Sequence, residues 1–126
     1  MLAAVYVFIG GGLGSLCRYG LAVGFTYTQF SFLPPPRATL FANIISCLIL
    51  GFLIGWNEKV ILEERSRLLL MTGFCGGFST FSTFSGELVK LYQDGQAVQS
   101  IVYLLLSILT GVLCIIMGAF LAKGIA

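Results

Sequence analysis

The chain has 126 residues, 58% of them hydrophobic and 10% charged, with a mean hydropathy of +1.01 and a formal net charge of +2. That balance excludes a soluble globular domain and points to an integral membrane protein. So small a positive charge also gives no reason to expect a nucleic-acid partner.

The few charges fall in short intervals, and four apolar stretches between them reach the roughly 20 residues that cross a bilayer as helix. The first, about residues 2–25, is broken only by Arg18 and ends in the turn-rich TYTQFSFLPPPR. It has neither a basic leader region nor a small-residue cleavage site, so it is expected to be retained as a helix. Its GGGLGS run, residues 10–15, lacks the preceding strand and the later acidic residue of a dinucleotide-binding loop, which leaves helix packing as its role.

The second span, about residues 38–56, is uncharged and carries Asn43. An amide at that depth costs energy without a partner, and either an interhelical hydrogen bond or an anion beside its NH2 donors would supply one. NEKVILEERSR, residues 57–67, is the most charged stretch of the chain.

The third span, about residues 68–92, contains GFCGGFSTFSTFS at residues 73–85. Gly76 and Gly77 weaken the helix near its middle, and nearby hydroxyls can satisfy freed backbone groups, so a break is expected there. Carbonyls exposed at the end of a half-helix suit a cation. Phe81 and Phe84 lie three apart and share a face; their positive ring edges could favour an anion, or the rings could simply fill core or face lipid. Ser79, Thr80, Ser82, Thr83 and Ser85 interleave with them, and space filling alone does not account for these hydroxyls.

The fourth span, about residues 97–122, adds a polar stripe of Tyr103 and Ser107, four apart, with Thr110 beside them. Long apolar stretches without short alternation exclude a transmembrane barrel. The expected fold is all-α, one transmembrane domain over residues 1–126. Cys17, Cys47, Cys75 and Cys114 fall one to a span with no CxxC spacing, and no His occurs, so packing is the expected role of the thiols.

Charges inside spans face cavities, pair together or reach toward an interface, which leaves all three open for Arg18 and Glu87. Small residues four apart, at Gly10/Gly14, Gly20/Gly24, Gly51/Gly55, Gly73/Gly77 and Ser107/Gly111, suit close helix packing, with at least one pair expected at a subunit interface. Lys59, Arg65, Arg67 and Lys123 share one side of a four-span topology, against Arg37 and Lys90 on the other, joined by Arg18 if it snorkels toward the end of its helix. So small a bias specifies orientation weakly, and both insertions are expected.

GFCGGFSTFSTFSGE, TLFANIISCLILG and GGGLGSLCRYG together resemble the CrcB/Fluc fluoride channel family over essentially the whole chain. The resemblance implies a multi-pass protein of a prokaryotic cytoplasmic (inner) membrane. It further implies an antiparallel, dual-topology homodimer with two fluoride pores and a central structural Na+, and no enzymatic turnover. Carried over by position, Asn43, Phe81, Ser82, Thr83, Phe84, Tyr103 and Ser107 would form the fluoride pathway, and Arg18 would lie in a vestibule. The backbone carbonyls of Gly76 and Ser79 would hold the sodium. Ser79 replaces the family's commoner Thr, and Ala38 and Ser46 stand where glycine is usual, which bears on how closely the chain packs around Asn43. A small four-helix proton-coupled multidrug-type exporter is the rival class; it needs a deep carboxylate, and the first two spans hold none. A non-transporting assembly subunit would use the glycines but not the polar tract.

Overall fold

The computed structural model describes residues 2–27 and 36–125. Most of the expected turn-rich segment, residues 28–35, lies outside the described residues. Six α-helices occur among the described residues, without a strand: α1 (Leu2–Tyr27), α2 (Arg37–Lys59), α3 (Glu64–Arg67), α4 (Gly76–Phe78), α5 (Phe81–Gln93) and α6 (Ala97–Ile125). A π-helical stretch, Leu68–Cys75, joins α3 to α4 without a non-helical residue.

Among the described residues, three helices are long and apolar enough to cross a membrane: α1, α2 and α6. The expected third span is instead assembled from α3, the π stretch, α4 and α5, with Ser79 and Thr80 extended between the last two. Hydropathy sets the apolar stretches but not where a helix stops, since helical hydrogen bonds continue through water-exposed charges. α2 therefore runs on through Glu58 to Lys59 and α3 begins at Glu64, beyond the apolar limits. A salt bridge of 2.7 Å from Lys123 to Glu58, and a bond from Lys59 Nζ to the Lys123 carbonyl, tie the ends of α2 and α6 together.

Glycines determine how the helices meet. A Cβ added at Gly10 or Gly14 would strike backbone of the third span at Leu69 and Phe74, and one at Gly77 would strike Gly11. Likewise a Cβ at Gly51 would strike Ile115, at Gly55 Ala119, and at Gly118 Leu48. Residue numbers rise together across both contacts, so α1 runs parallel to the third span and α2 runs parallel to α6. Among the described residues nothing lies within 4 Å of a Cβ at Gly20 or Gly24.

Side-chain burial is concentrated near one end, where Leu40, Phe84 and Tyr103 pack with Ile44, Leu88, Leu91, Leu104 and Leu106. The outer face of α6, including Ile101, Leu105, Ile108, Leu109, Val112 and Ile116, is exposed and wholly apolar, a surface suited to lipid rather than water.

Because the α2–α6 contact is backbone against backbone, Gly51→Ala is expected to cost about 1–3 kcal/mol through overpacking. Gly12→Ala has open space within 4 Å and a better helix former, so it should be neutral or slightly stabilising. Thermal unfolding of the two detergent-solubilised variants decides; equal midpoints would show that the α2–α6 contact yields easily.

Candidate functional site

The site is built around Ser79 (φ −76°, ψ 157°) and Thr80 (φ −152°, ψ 116°). Two extended residues in an otherwise helical segment leave amides and carbonyls without their usual partners. In continuous helix Thr80 N–H would donate to the Gly76 carbonyl and Phe81 N–H to the Gly77 carbonyl. Side chains from α1 and α2 take over part of this bonding.

From α2, Asn43 Oδ1 accepts the Thr80 N–H at 2.8 Å while its Nδ2 donates to the Thr80 carbonyl at 3.5 Å. One turn on, Ser46 Oγ donates to the Cys75 carbonyl at 2.9 Å. From α1, Ser15 Oγ and Arg18 Nε both donate to the Gly77 carbonyl, at 3.4 and 3.3 Å. Thr80 in turn caps α5: its Oγ1 accepts the Thr83 N–H at 3.3 Å, donates to Thr83 Oγ1 at 3.0 Å and lies 3.4 Å from Ser82 Oγ. Part of the unexplained hydroxyl content is thus helix capping.

A cavity of about 260 Å³ opens at this point, lined by Asn43, Cys47, Ser79, Thr80, Phe81, Phe84, Ser107, Ile108 and Gly111. Among the described residues no carboxylate, Lys or Arg lines it. It brings together Asn43, Phe81, Phe84 and Ser107 of the expected pathway. The two phenylalanine rings lie 6.1 Å apart but in different settings: Phe84 is 7% exposed and Phe81 is 80% exposed. Phe84 meets the buried Tyr103 in a T-shaped contact at 5.2 Å.

Ser82 and Thr83 are exposed and do not line that cavity. Thr83 lines a second one, of about 330 Å³, whose walls include Ser15, Arg18, Thr39, Thr80 and Glu87. Arg18 and Glu87 share this cavity, but the Glu87 carboxylate accepts from Thr39 Oγ1 at 2.7 Å and from Tyr103 OH at 2.9 Å. Tyr103 therefore contributes its hydroxyl to Glu87. Thr110 bonds back to the Leu106 and Ser107 carbonyls of its own helix. Gly76 is exposed, with open space where a Cβ would stand, and Ser79 is half-buried beside the cavity.

Sequence reasoning did not single out Ser15 or Thr39 as site residues, nor foresee the bonding of Ser46 and Thr80. A signal existed for two of them: Ser15 precedes Arg18 by three positions, on one helix face, and Thr80 stands three before Thr83 at a helix start.

A family model described as CrcB-like protein, Camphor Resistance (CrcB), matches residues 5–119. The chain is 38% identical over 125 residues to a fluoride-specific ion channel FluC of Bacteroides fragilis, covering 98% of both chains. It is 37% identical over 122 residues to a channel of the same name from Desulfotalea psychrophila, covering 97% of this chain and 93% of the relative. To that of an Enterobacter species it is 45% identical over 91 residues, 71% of this chain and 69% of the other.

Proposed function

The chain belongs to the CrcB family, and from that premise we propose that it is a fluoride-selective passive channel, exporting the ion across the cytoplasmic membrane to relieve fluoride toxicity. The observation that carries this reading is the 260 Å³ cavity in which amide, hydroxyl and aromatic groups meet with no full charge. Dehydrating a small anion costs of order tens of kcal/mol when uncompensated, and many weak neutral donors can replace that water without trapping the ion. Asn43, Phe81, Phe84 and Ser107 are the groups available there. By the family resemblance Ser82, Thr83 and Tyr103 continue the path; Thr83 lines the second cavity, where Arg18 supplies a positive charge beside the Glu87 carboxylate.

In this reading the third helix is broken mid-membrane and the working unit is an inverted homodimer. Support comes from Phe81, Ser82 and Thr83, which are exposed at a depth where unshielded hydroxyls and backbone are costly in lipid. A second subunit would cover them, and the weak charge bias permits both orientations. Donor chemistry also suits a structural Na+ held by the Gly76 and Ser79 carbonyls of each subunit, since the space at Gly76 lets a cation approach backbone. Such an ion would neutralise the carbonyl ends that converge from two half-helices.

Liposomes containing only the purified protein should release fluoride rapidly and chloride far more slowly, read with ion-selective electrodes. Flux that follows a pH gradient after voltage is clamped would favour the proton-coupled exporter, and flux indifferent to complete removal of sodium would dismiss the cation.

Phe81→Ile and Phe84→Ile retain apolar bulk but remove the ring quadrupole. Fluoride efflux should fall sharply in each while the size-exclusion profile is kept, whereas wild-type rates would return both rings to a packing role.

For orientation, Ile61→Cys in a background without Cys17, Cys47, Cys75 and Cys114 should label from both membrane faces. Labelling from a single face would rule out the inverted pair.

A further inference from the structure

The Cys75 carbonyl accepts three hydrogen bonds: from Ser79 N–H at 3.0 Å, from Ser79 Oγ at 2.9 Å and from Ser46 Oγ at 2.9 Å. A carbonyl oxygen has two lone pairs, so one donor is in excess. Ser79 N–H cannot leave without unwinding the last turn of α4. Of the two hydroxyls, Ser46 is 2% exposed and enclosed between α2 and the third span, while Ser79 lines the cavity that holds Asn43, Phe81, Phe84 and Ser107.

The geometry points to the Ser79 hydroxyl as a further ligand of the permeating anion, released from the Cys75 carbonyl because Ser46 keeps that carbonyl satisfied. The inference rests on the channel reading above. Rotation about the Ser79 side-chain bond exchanges one staggered position for another and turns the O–H from the carbonyl toward the cavity. No buried acceptor is orphaned by the move, since Ser46 Oγ and Ser79 N–H remain on the Cys75 oxygen. When the anion departs, the hydroxyl returns. Ser79 thereby adds a neutral donor that engages and disengages at low cost. Its hydroxyl role is separate from the backbone carbonyl proposed for sodium.

The experiment measures fluoride efflux against internal fluoride concentration for wild type, Ser79→Ala, Ser79→Thr and Ser46→Ala in liposomes. Ser79→Ala should weaken apparent fluoride affinity and lower efflux about fivefold to tenfold, the loss of roughly one hydrogen bond. Ser79→Thr keeps the hydroxyl and should stay near wild type. Ser46→Ala should also lower efflux, because departure of the Ser79 hydroxyl would then leave the carbonyl with the Ser79 N–H alone and one lone pair unmet. Dependence on sodium should persist in every variant.

Wild-type efflux in Ser79→Ala would overturn the ligand role, and equal losses in Ser79→Ala and Ser79→Thr would assign the effect to packing and overturn it likewise. Unchanged efflux in Ser46→Ala would overturn the release by Ser46, and that variant decides the point even if Ser79→Ala does not assemble. A wild-type protein that conducts no fluoride would instead fail the channel reading itself.

Discussion

A peptide group without a hydrogen-bond partner is costly inside a bilayer, where no water stands ready to replace what the helix gives up. Ser79 and Thr80 impose that problem on this chain, and the surrounding structure supplies much of the answer. Asn43 brackets Thr80 with both ends of its amide and Ser15 with Arg18 converge on Gly77, while Ser46 adds a donor to a Cys75 carbonyl that keeps its helical partner Ser79 N–H. These four side chains of α1 and α2 are thus bound to backbone first, and whatever they offer an ion is offered from a fixed frame. Asn43 illustrates the economy: the interhelical bond and the ion-facing role, alternatives in the bare sequence, are compatible once the partner is backbone at the cavity wall.

Those short side chains reach only because the helices approach closely. Gly10 and Gly14 let α1 lie against the π stretch and α4, which puts Ser15 and Arg18 within reach of the Gly77 carbonyl. On the other flank Gly51, Gly55 and Gly118 seat α2 on α6, so Cys47 Sγ lies 3.6 Å from a Cβ placed at Gly111 and the cavity has a closed wall. Any larger residue at these positions would separate the elements that share the hydrogen bonds. Packing and polar satisfaction are one constraint here, since the second fails when the first is relaxed.

The apolar stretches and their order were legible from hydropathy, because burial in lipid acts on every residue of a span. So was an interruption of the third span near the tract around Phe81, since hydroxyls at that density have no use in a simple span. Partnerships were not legible, because a hydrogen bond between Asn43 and Thr80 depends on helix rotation and approach, which no local pattern encodes. The two adjacent glycines show the limit well. Both were read as weakening the helix, yet both are helical; Gly77 is small because Gly11 lies against it, while Gly76 faces open space. Close packing therefore accounts for Gly77 and not for Gly76, and the extended residues follow the pair. Helix ends overran the apolar limits for a different reason, because charged residues such as Glu58 and Glu64 continue a helix as well as apolar ones do.

The π-helical stretch Leu68–Cys75 makes chain length itself a functional variable. A π turn closes with one more residue than an α turn, and the wider spacing lets Leu69 and Phe74, five apart, face the same glycine of α1. Adding a residue to the stretch at unchanged helix geometry would turn everything beyond it by roughly 80–100°. Gly77 would leave Gly11, Thr80 would leave Asn43, and the aromatic pair would point elsewhere, with every side chain chemically intact. Between residues 68 and 75 the chain therefore tolerates exchange of one apolar side chain for another far better than it tolerates a change in count. In this part of the molecule the number of residues carries as much information as their identity.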